Sequence, residues 1–355
     1  MNNDRIQEIL DLMEEARLDY FLISDPQSIA YCTGYYNDPH ERMFVFMISK
    51  HGNHTLFMND LFYLDHDLDV NIVWHKDGQD AIQTIVDEMH FPGRIGIDKN
   101  WASHFLLDLM KKLPDAKYIN ASPCVDLVRM KKDLQEQVLM IESSKINDAV
   151  MEEIIPFIQE GVTEKQLAKK LDELFFNHHS TCYGAIVAFG KNAADPHHEN
   201  DDTLLRKGDC VLIDMGCVYK GYCSDMTRTF FYEGILEEEI KVYEIVKKAN
   251  EAAEAMIKPG VKLSDIDKCA RKVISDEGYG KYFTHRLGHF IGRDVHEYGD
   301  VSSVNEMEVE EGMIFSIEPG VYLEGDFGVR VEDLVMVTQD GCQVLNSFTK
   351  DIYII

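Results

Sequence analysis

The eight cysteines, at positions 32, 124, 182, 210, 217, 223, 269 and 342, include no C-x-x-C pair. In a chain of this length without a secretory leader, that scatter predicts reduced, buried thiols rather than a disulfide framework. Long apolar runs are also missing: none approaches the roughly 18–20 residues that span a bilayer. The N-terminal MNNDRIQEILDLMEEA is acidic and amphipathic, the wrong composition for a signal or transit peptide. A cytoplasmic location is expected. Positive charge is scarce, with 35 Lys and Arg against 63 Asp and Glu, a net charge of -28 at pH 7. Such a surface repels phosphate, so neither nucleic acid nor an anionic membrane is expected as a partner. H-E-x-x-H, G-x-S-x-G and the Walker loop are absent, since His40-Glu41, His198-Glu199 and His296-Glu297 all lack the second His.

What is present is ordinary globular composition, 45% hydrophobic and 28% charged, in 355 residues. That is about two domains at roughly 150 residues each. Asp4 is read as the cap of a first helix whose Ile6, Ile9, Leu10 and Met13 recur at helical spacing. YFLIS (20–24) reads as a buried strand. MFVFMIS (43–49) and HTLFM (54–58), joined through Lys50-His51-Gly52-Asn53, read as a hairpin, and NIVWH (71–75) as a further strand. A helix over Ala81–Met89 is stopped by Pro92-Gly93 before the strand RIGID (94–98). Alternating helices and strands predict an α/β domain over residues 1–125. Ser122-Pro123-Cys124 and a helix-prone stretch from Arg129 to Ala149 then open a second domain over 126–355.

Within the second domain FIQEGVTEKQL (157–167) and MIKPGVKLSDI (256–266) align at an offset of 99. Each has an apolar pair, a Gly-Val and a helix start read as capped by Thr163 or Ser264. Two pseudo-symmetric halves explain this, and so does the general likeness of helix–Gly–helix junctions.

Acidic residues stand where apolar ones are expected. In VLIDMGCVYKGYCSDMTRTFF (211–231), Asp214 and Asp225 fall on two adjacent strand candidates, with Gly216 and Gly221 providing the turn. FSIEPGVYL (315–323) places Glu318 after an apolar run, and VRVEDLVMV (329–337) places Glu332 inside a strongly β-forming segment. A buried carboxylate needs a cation, several donors or a proton. HRLGHFIGRDVHE (285–297) adds His289. Four carboxylates and one imidazole suit two divalent ions such as Mn, Co, Zn or Fe better than Ca or a thiolate-seeking soft metal. Such a pair can deprotonate water and polarise a carbonyl.

The ordered series Asp214, Asp225, His289, Glu318, Glu332, in the contexts IDMG, SDMTRTF, GHFIG, SIEPG and VRVEDL, resembles the pita-bread metallopeptidase family. That family includes methionine aminopeptidase, aminopeptidase P and prolidase. The resemblance covers roughly 125–355, and the preceding domain is similar to the one creatinases, prolidases and aminopeptidases P carry. It implies an α+β fold in which an N-terminal α/β creatinase-like domain precedes a pseudo-symmetric pita-bread catalytic domain. It further implies that Asp214 chelates one metal ion, Asp225 and Glu332 bridge two, and His289 with Glu318 completes the other. In the family a His at the position of His197 lines the substrate pocket. His296 and His285 match two further histidines near the metals. Imidazoles there can donate to an oxyanion and handle leaving-group protons, and Glu318 can shuttle a proton. For His285, packing or a dimer contact is an equal alternative to substrate contact. His198 reads as a solvated loop residue.

Within the family, Phe290 in GHFIG resembles the bulky residue of some prolidases and is a candidate wall for a proline ring. The loop Asp38-Pro39-His40-Glu41-Arg42 resembles one that, in short bacterial prolidases, reaches the neighbouring subunit's active site in a homodimer. Asp38, His40 and Arg42 are therefore substrate-binding candidates. Larger prolidases carry a carboxylate-binding Arg in the region that here reads EYGDVSSVNEMEVE (297–310), which has none. Arg293 is the candidate for that role, with Arg42 in reserve. The resemblance thus implies hydrolysis of Xaa-Pro dipeptides by a metal-bridging water, with manganese the foremost metal. The alternatives are an Xaa-Pro aminopeptidase acting on longer peptides and an inactive peptide-binding homologue. The latter class loses metal ligands, whereas all five stand here.

Overall fold

A computed structural model describes residues 1–64, 66–90 and 92–355. The chain divides into two units, Met1–Arg129 and Met130–Ile355. In the first, helices α1 (Asn3–Glu15), α2 (Pro26–Thr33), α3 (Ala81–Glu88), α4 (Ser103–Lys112) and α5 (Ser122–Met130) accompany strands β1 (Tyr20–Ile23), β2 (Val45–Ser49), β3 (Thr55–Asn59), β4 (Asn71–His75), β5 (Arg94–Ile97) and β6 (Lys117–Asn120). Among the described residues the strand order is β4-β3-β2-β1-β5-β6. β1 to β3 run antiparallel, whereas β1, β5 and β6 are parallel neighbours. Every residue of β1 is buried, as a central strand covered on both faces requires. Alternate residues serve opposite faces: Phe21 and Ile23 pack with Ile6, Ile9 and Met13 of α1, and Tyr20 and Leu22 with Ile82, Ile85 and Leu109. Asn2, not Asp4, caps α1, its side chain accepting from the Arg5 N–H at 3.3 Å. Asp4 falls in the first turn, where a carboxylate meets the positive end of the helix dipole.

The second unit opens with α6 (Leu134–Ile154) and α7 (Glu164–Asn177), followed by β7 (Thr181–Cys182), β8 (Ile186–Phe189), β9 (Cys210–Met215), β10 (Cys217–Tyr219), β11 (Tyr222–Cys223) and β12 (Met226–Phe231). Helices α8 (Glu237–Met256) and α9 (Leu263–Asp276) then precede β13 (Gly288–His289), β14 (Asp300–Val301), β15 (Ile314–Ile317), β16 (Gly320–Leu323), β17 (Phe327–Arg330), β18 (Asp333–Val337) and β19 (Cys342–Val344). The stretch expected to be helical from Arg129 to Ala149 is broken. α5 ends at Met130, and Asp133 starts α6 with a capping box to Glu136.

Each half of this unit sends a helix pair ahead of a three-stranded antiparallel sheet, β12-β9-β8 in the first and β15-β18-β19 in the second. The faint repeat therefore belongs to the architecture rather than to chance likeness of helix junctions. Thr163 caps α7 through a capping box with Gln166. Ser264 does not cap its counterpart: α9 begins at Leu263, and the Ser264 hydroxyl donates to Glu306 at 3.0 Å. Lys220 and Gly221, at φ 48 and 84, close the β10–β11 hairpin, a backbone that glycine adopts without a Cβ clash. All eight cysteines are free. Among the described residues no helix is long and apolar enough to cross a membrane.

Candidate active site

Three of the four acids lie at strand ends or breaks, where a side chain can leave the core. Asp214 sits within β9, and Asp225 stands one residue before β12, which pairs with β9 from Met226↔Met215 onward. Glu318 follows β15 directly. Glu332 was expected inside a strand but occupies the break between β17 and β18, where the chain leaves its pairing with β16 and takes up pairing with β15. Each half thus supplies one pair of acids. His289 closes β13.

These five residues line one cavity of about 420 Å³, together with Tyr183, Pro196, His197, His285, Arg286, His296 and Arg330 among others. Asp225, His289 and Glu332 are no more than 5% exposed, and a ligand atom from each lies within 4.8 Å of the others. The His289 Nε2 stands 3.6 Å from Asp225 Oδ2 and 3.7 Å from Glu318 Oε1. These separations are too long for hydrogen bonds and leave room for an ion between the groups. The Nδ1–H donates to the Phe290 carbonyl at 3.2 Å, which leaves the Nε2 lone pair directed away from the backbone.

Hydroxyls and arginine fix the carboxylates from behind. The Thr227 hydroxyl donates to Glu332 Oε2 at 2.7 Å and accepts from Arg330 Nε at 3.0 Å. Arg330 also donates through Nη2 to Asp214 Oδ2 at 2.6 Å and through Nη1 to the Tyr322 hydroxyl at 2.9 Å. The Ser316 hydroxyl donates to Glu318 Oε1 at 3.2 Å and accepts the His289 N–H at 3.0 Å. Among the described residues that line the cavity, two buried oxygens make no hydrogen bond, Asp225 Oδ1 and Glu332 Oε1. Buried carboxylate oxygens with no donor are costly unless a cation meets them, so this set fits a divalent metal centre.

Electrostatics agrees. Burial, and then Asp214, push the Asp225 carboxyl well above its ordinary range, while burial and then Asp225 do the same to Glu332. Burial lifts Glu318 to about 7, partly opposed by Arg330. His289 is driven down to about 3, by burial first and by His296 second. Acids that resist ionisation around an imidazole that resists protonation form a site that recruits a positive ion.

The structure brings His197, His285 and His296 to the same cavity. The His296 ring meets that of His289 edge to face, with centroids 4.2 Å apart. His285 donates from Nδ1 to the Arg286 carbonyl at 2.7 Å and accepts from the Tyr322 hydroxyl at 2.9 Å. Phe290 is not a cavity wall. It is fully buried, its ring 5.3 Å from Phe315, because its neighbour His289 takes the cavity face of the short β13 and turns it into the core. Arg293 also lies off the lining, its guanidinium 5.4 Å from the Tyr222 ring centroid. Asp38, His40 and Arg42 belong to the first unit. His40 has φ 49, and Arg42 forms a bidentate pair with Asp77, both bonds at 2.9 Å. His198 is not a solvated loop residue: it meets the buried Glu164 at 2.6 Å. Glu164 and Asp201 could hold an ion with His198, but Glu164 already accepts from Phe189, Asn192 and Asp201 as well.

Sequence reasoning passed over Arg330, Thr227, Tyr322 and Arg286. Arg330 had a signal, since it stands two residues before Glu332. Thr227 likewise stands two residues after Asp225.

Fixed carboxylates that keep donor-free oxygens beside a neutral imidazole are what a metal-dependent hydrolase requires of its protein. Comparison with known proteins narrows the class. Residues 138–339 match the model of metallopeptidase family M24, and residues 5–131 match the creatinase/prolidase N-terminal domain. The chain belongs to metallopeptidase family M24. It is 34% identical over 355 residues to an uncharacterised peptidase of Staphylococcus aureus, covering 98% of this chain and 99% of that one. Its structure is similar to a dipeptidase of Pyrococcus horikoshii OT3, at TM-score 0.92 and 34% identity over 99% of this chain and 100% of the other. A prolidase of Thermococcus sibiricus aligns at TM-score 0.94 and 31% identity, over 100% of this chain and 99% of the other.

Proposed function

We propose that this peptidase hydrolyses Xaa-Pro dipeptides with two divalent metal ions, manganese foremost, held by Asp214, Asp225, His289, Glu318 and Glu332. The observation that carries the reading is the pair of buried, donor-free oxygens on Asp225 and Glu332, the two acids expected to be shared between ions. When bound, the ions would supply Lewis acidity and a lowered pKa for water. The chain's own groups do the rest. Arg330, Thr227 and Ser316 hold the carboxylates in place. His197 and His296 stand on the cavity wall as donors to a developing oxyanion. Glu318, on the same wall, is the carboxylate expected to shuttle a proton. The dipeptidase and prolidase among the similar structures support the substrate class. We further propose a cytoplasmic homodimer in which the loop carrying Asp38, His40 and Arg42 serves the partner's site.

The test is a manganese-supplemented panel of Xaa-Pro dipeptides against Xaa-Pro tripeptides. Rapid hydrolysis of Ala-Pro with slow hydrolysis of Ala-Pro-Ala is the expected result. Vigorous cleavage of Ala-Pro-Ala would transfer the function to an Xaa-Pro aminopeptidase, and inertness towards both would leave a peptide-binding homologue.

A further inference from the structure

We infer that Arg286 receives the free carboxylate of the substrate and so sets the length of peptide this site accepts. The inference rests on the dipeptidase reading above and names the residue that would enforce it.

Two arginines line the cavity. Arg330 is fully engaged, its Nε, Nη1 and Nη2 donating to Thr227, Tyr322 and Asp214. Arg286 is exposed on the same wall, and among the described residues nothing accepts a hydrogen bond from its guanidinium. Its neighbours offer an anion little else. The four acids serve the metal centre, His197 and His296 face the oxyanion, and both ring nitrogens of His285 are occupied. Arg286 is thus the one permanently charged, unpaired donor among the described lining residues.

Its position suits a dipeptide. The carboxylate of such a substrate lies one residue beyond the scissile carbon, so its receptor must stand just beyond the acid cluster. Arg286 is three residues before His289, at most about 10 Å of backbone, and its long side chain shortens that gap. A guanidinium fork can grip a carboxylate with two parallel hydrogen bonds. A tripeptide would carry its carboxylate past that fork and leave an amide there instead.

The test compares the manganese-loaded wild type with R286A and R286K on Ala-Pro and on Ala-Pro amide, which lacks the carboxylate. Calorimetric binding of L-proline and L-prolinamide to the same proteins serves as a readout independent of turnover. For R286A the expected result is a rise of about 10- to 100-fold in KM for Ala-Pro, with kcat within about threefold. Hydrolysis of the amide should be equally poor in wild type and variant, R286K should recover part of the loss, and Tm and metal content should be unchanged. L-Proline should bind more tightly than prolinamide, and that preference should vanish in R286A. An unchanged KM for Ala-Pro, or equal losses on acid and amide, overturns the inference while leaving the dipeptidase reading intact. If wild type does not cleave Ala-Pro, that reading falls, and calorimetry alone decides Arg286. Equal binding of proline and prolinamide then overturns the inference, and an acid preference lost in R286A supports it.

Discussion

Thr227 and Ser316 show how a single hydroxyl decides which carboxylate oxygen is left for a cation. Thr227 takes Glu332 Oε2 and leaves Oε1 bare, while also accepting from Arg330. Thr227→Val keeps the shape but leaves both partners short of a hydrogen bond. Orienting partners of this kind are typically worth about 10–100-fold in metal affinity, and T227V should weaken manganese binding by that amount in a calorimetric titration. Asp225→Asn removes a charge from the centre of the cluster and should lower kcat/KM by more than about 100-fold, with metal content falling in step in elemental analysis. Glu318 gives a pH prediction. Its ordinary value of 4.5 rises to about 7 in the folded, metal-free protein. A raised acid stabilises the fold below its unfolded pKa and loses that stabilisation as pH climbs through the folded value. His285 and His289 are depressed to about 4 and 3, so their effect appears only as pH falls below about 6.5. The Tm of metal-free protein should therefore drop between pH 6.5 and 8.5. Manganese should remove the part of that slope due to the acid cluster, leaving the parts due to Glu254, which burial also lifts to about 7, and to buried thiols such as Cys124 and Cys342, which burial holds at about 11. A metal-free Tm that is flat over this range would count against the crowded acid cluster.

At the scale of elements, local rules placed what local chemistry controls. Thr163 caps its helix because a short polar side chain can satisfy free N–H groups at a helix start, and Asp133 does the same inside a stretch whose sequence reads as one continuous helix. The same rule misplaced the caps of α1 and α9, where Asn2 and Lys262 occupy the position and tertiary contacts choose the first turn. Apolar periodicity found β1, β2, β3 and β15. It could not foresee that Glu332 falls in a break, because that break exists only where β17 and β18 exchange partners. Gly288 marks another such contact: a Cβ there would lie 1.9 Å from the Ser316 carbonyl oxygen. Gly288→Ala must push β13 from β15, separating His289 from Glu318. The expected outcome is a loss of several degrees in Tm and at least about tenfold in metal affinity. A variant with normal metal binding would show that the two strands tolerate the shift.

At the scale of the whole molecule, four acids crowded in one cavity repel one another until a cation is bound. Exhaustive chelation should therefore lower Tm, and added manganese should restore it. Unchanged melting would argue against a resident ion. The charged loop at residues 38–42 leads us to expect a sedimentation mass of twice the 40.8 kDa chain, and a mass of one chain would remove the loop from any partner's site.

Composition and ordered motifs by themselves determined that this is a globular chain whose second part holds four acids and a histidine, each in a segment that ought to be buried. Buried charge in apolar sequence is legible because burial is written in hydrophobicity. Which side chains complete the cavity was decided only by the tertiary structure. Phe290 and Arg293, both close to His289 in sequence, turn away from the cavity, while Arg286, equally close, and Arg330, from a distant segment, reach it. Direction along a short strand depends on what packs on either face, and in β13 that is settled by β15 and the Phe315 ring. His198 shows the same dependence. Nothing beside it in sequence announces Glu164, thirty-four residues away, whose buried carboxylate gathers the loop around itself. Ligand identity follows from residue type and context, whereas the assignment of supporting roles needs distances between segments that only folding brings together.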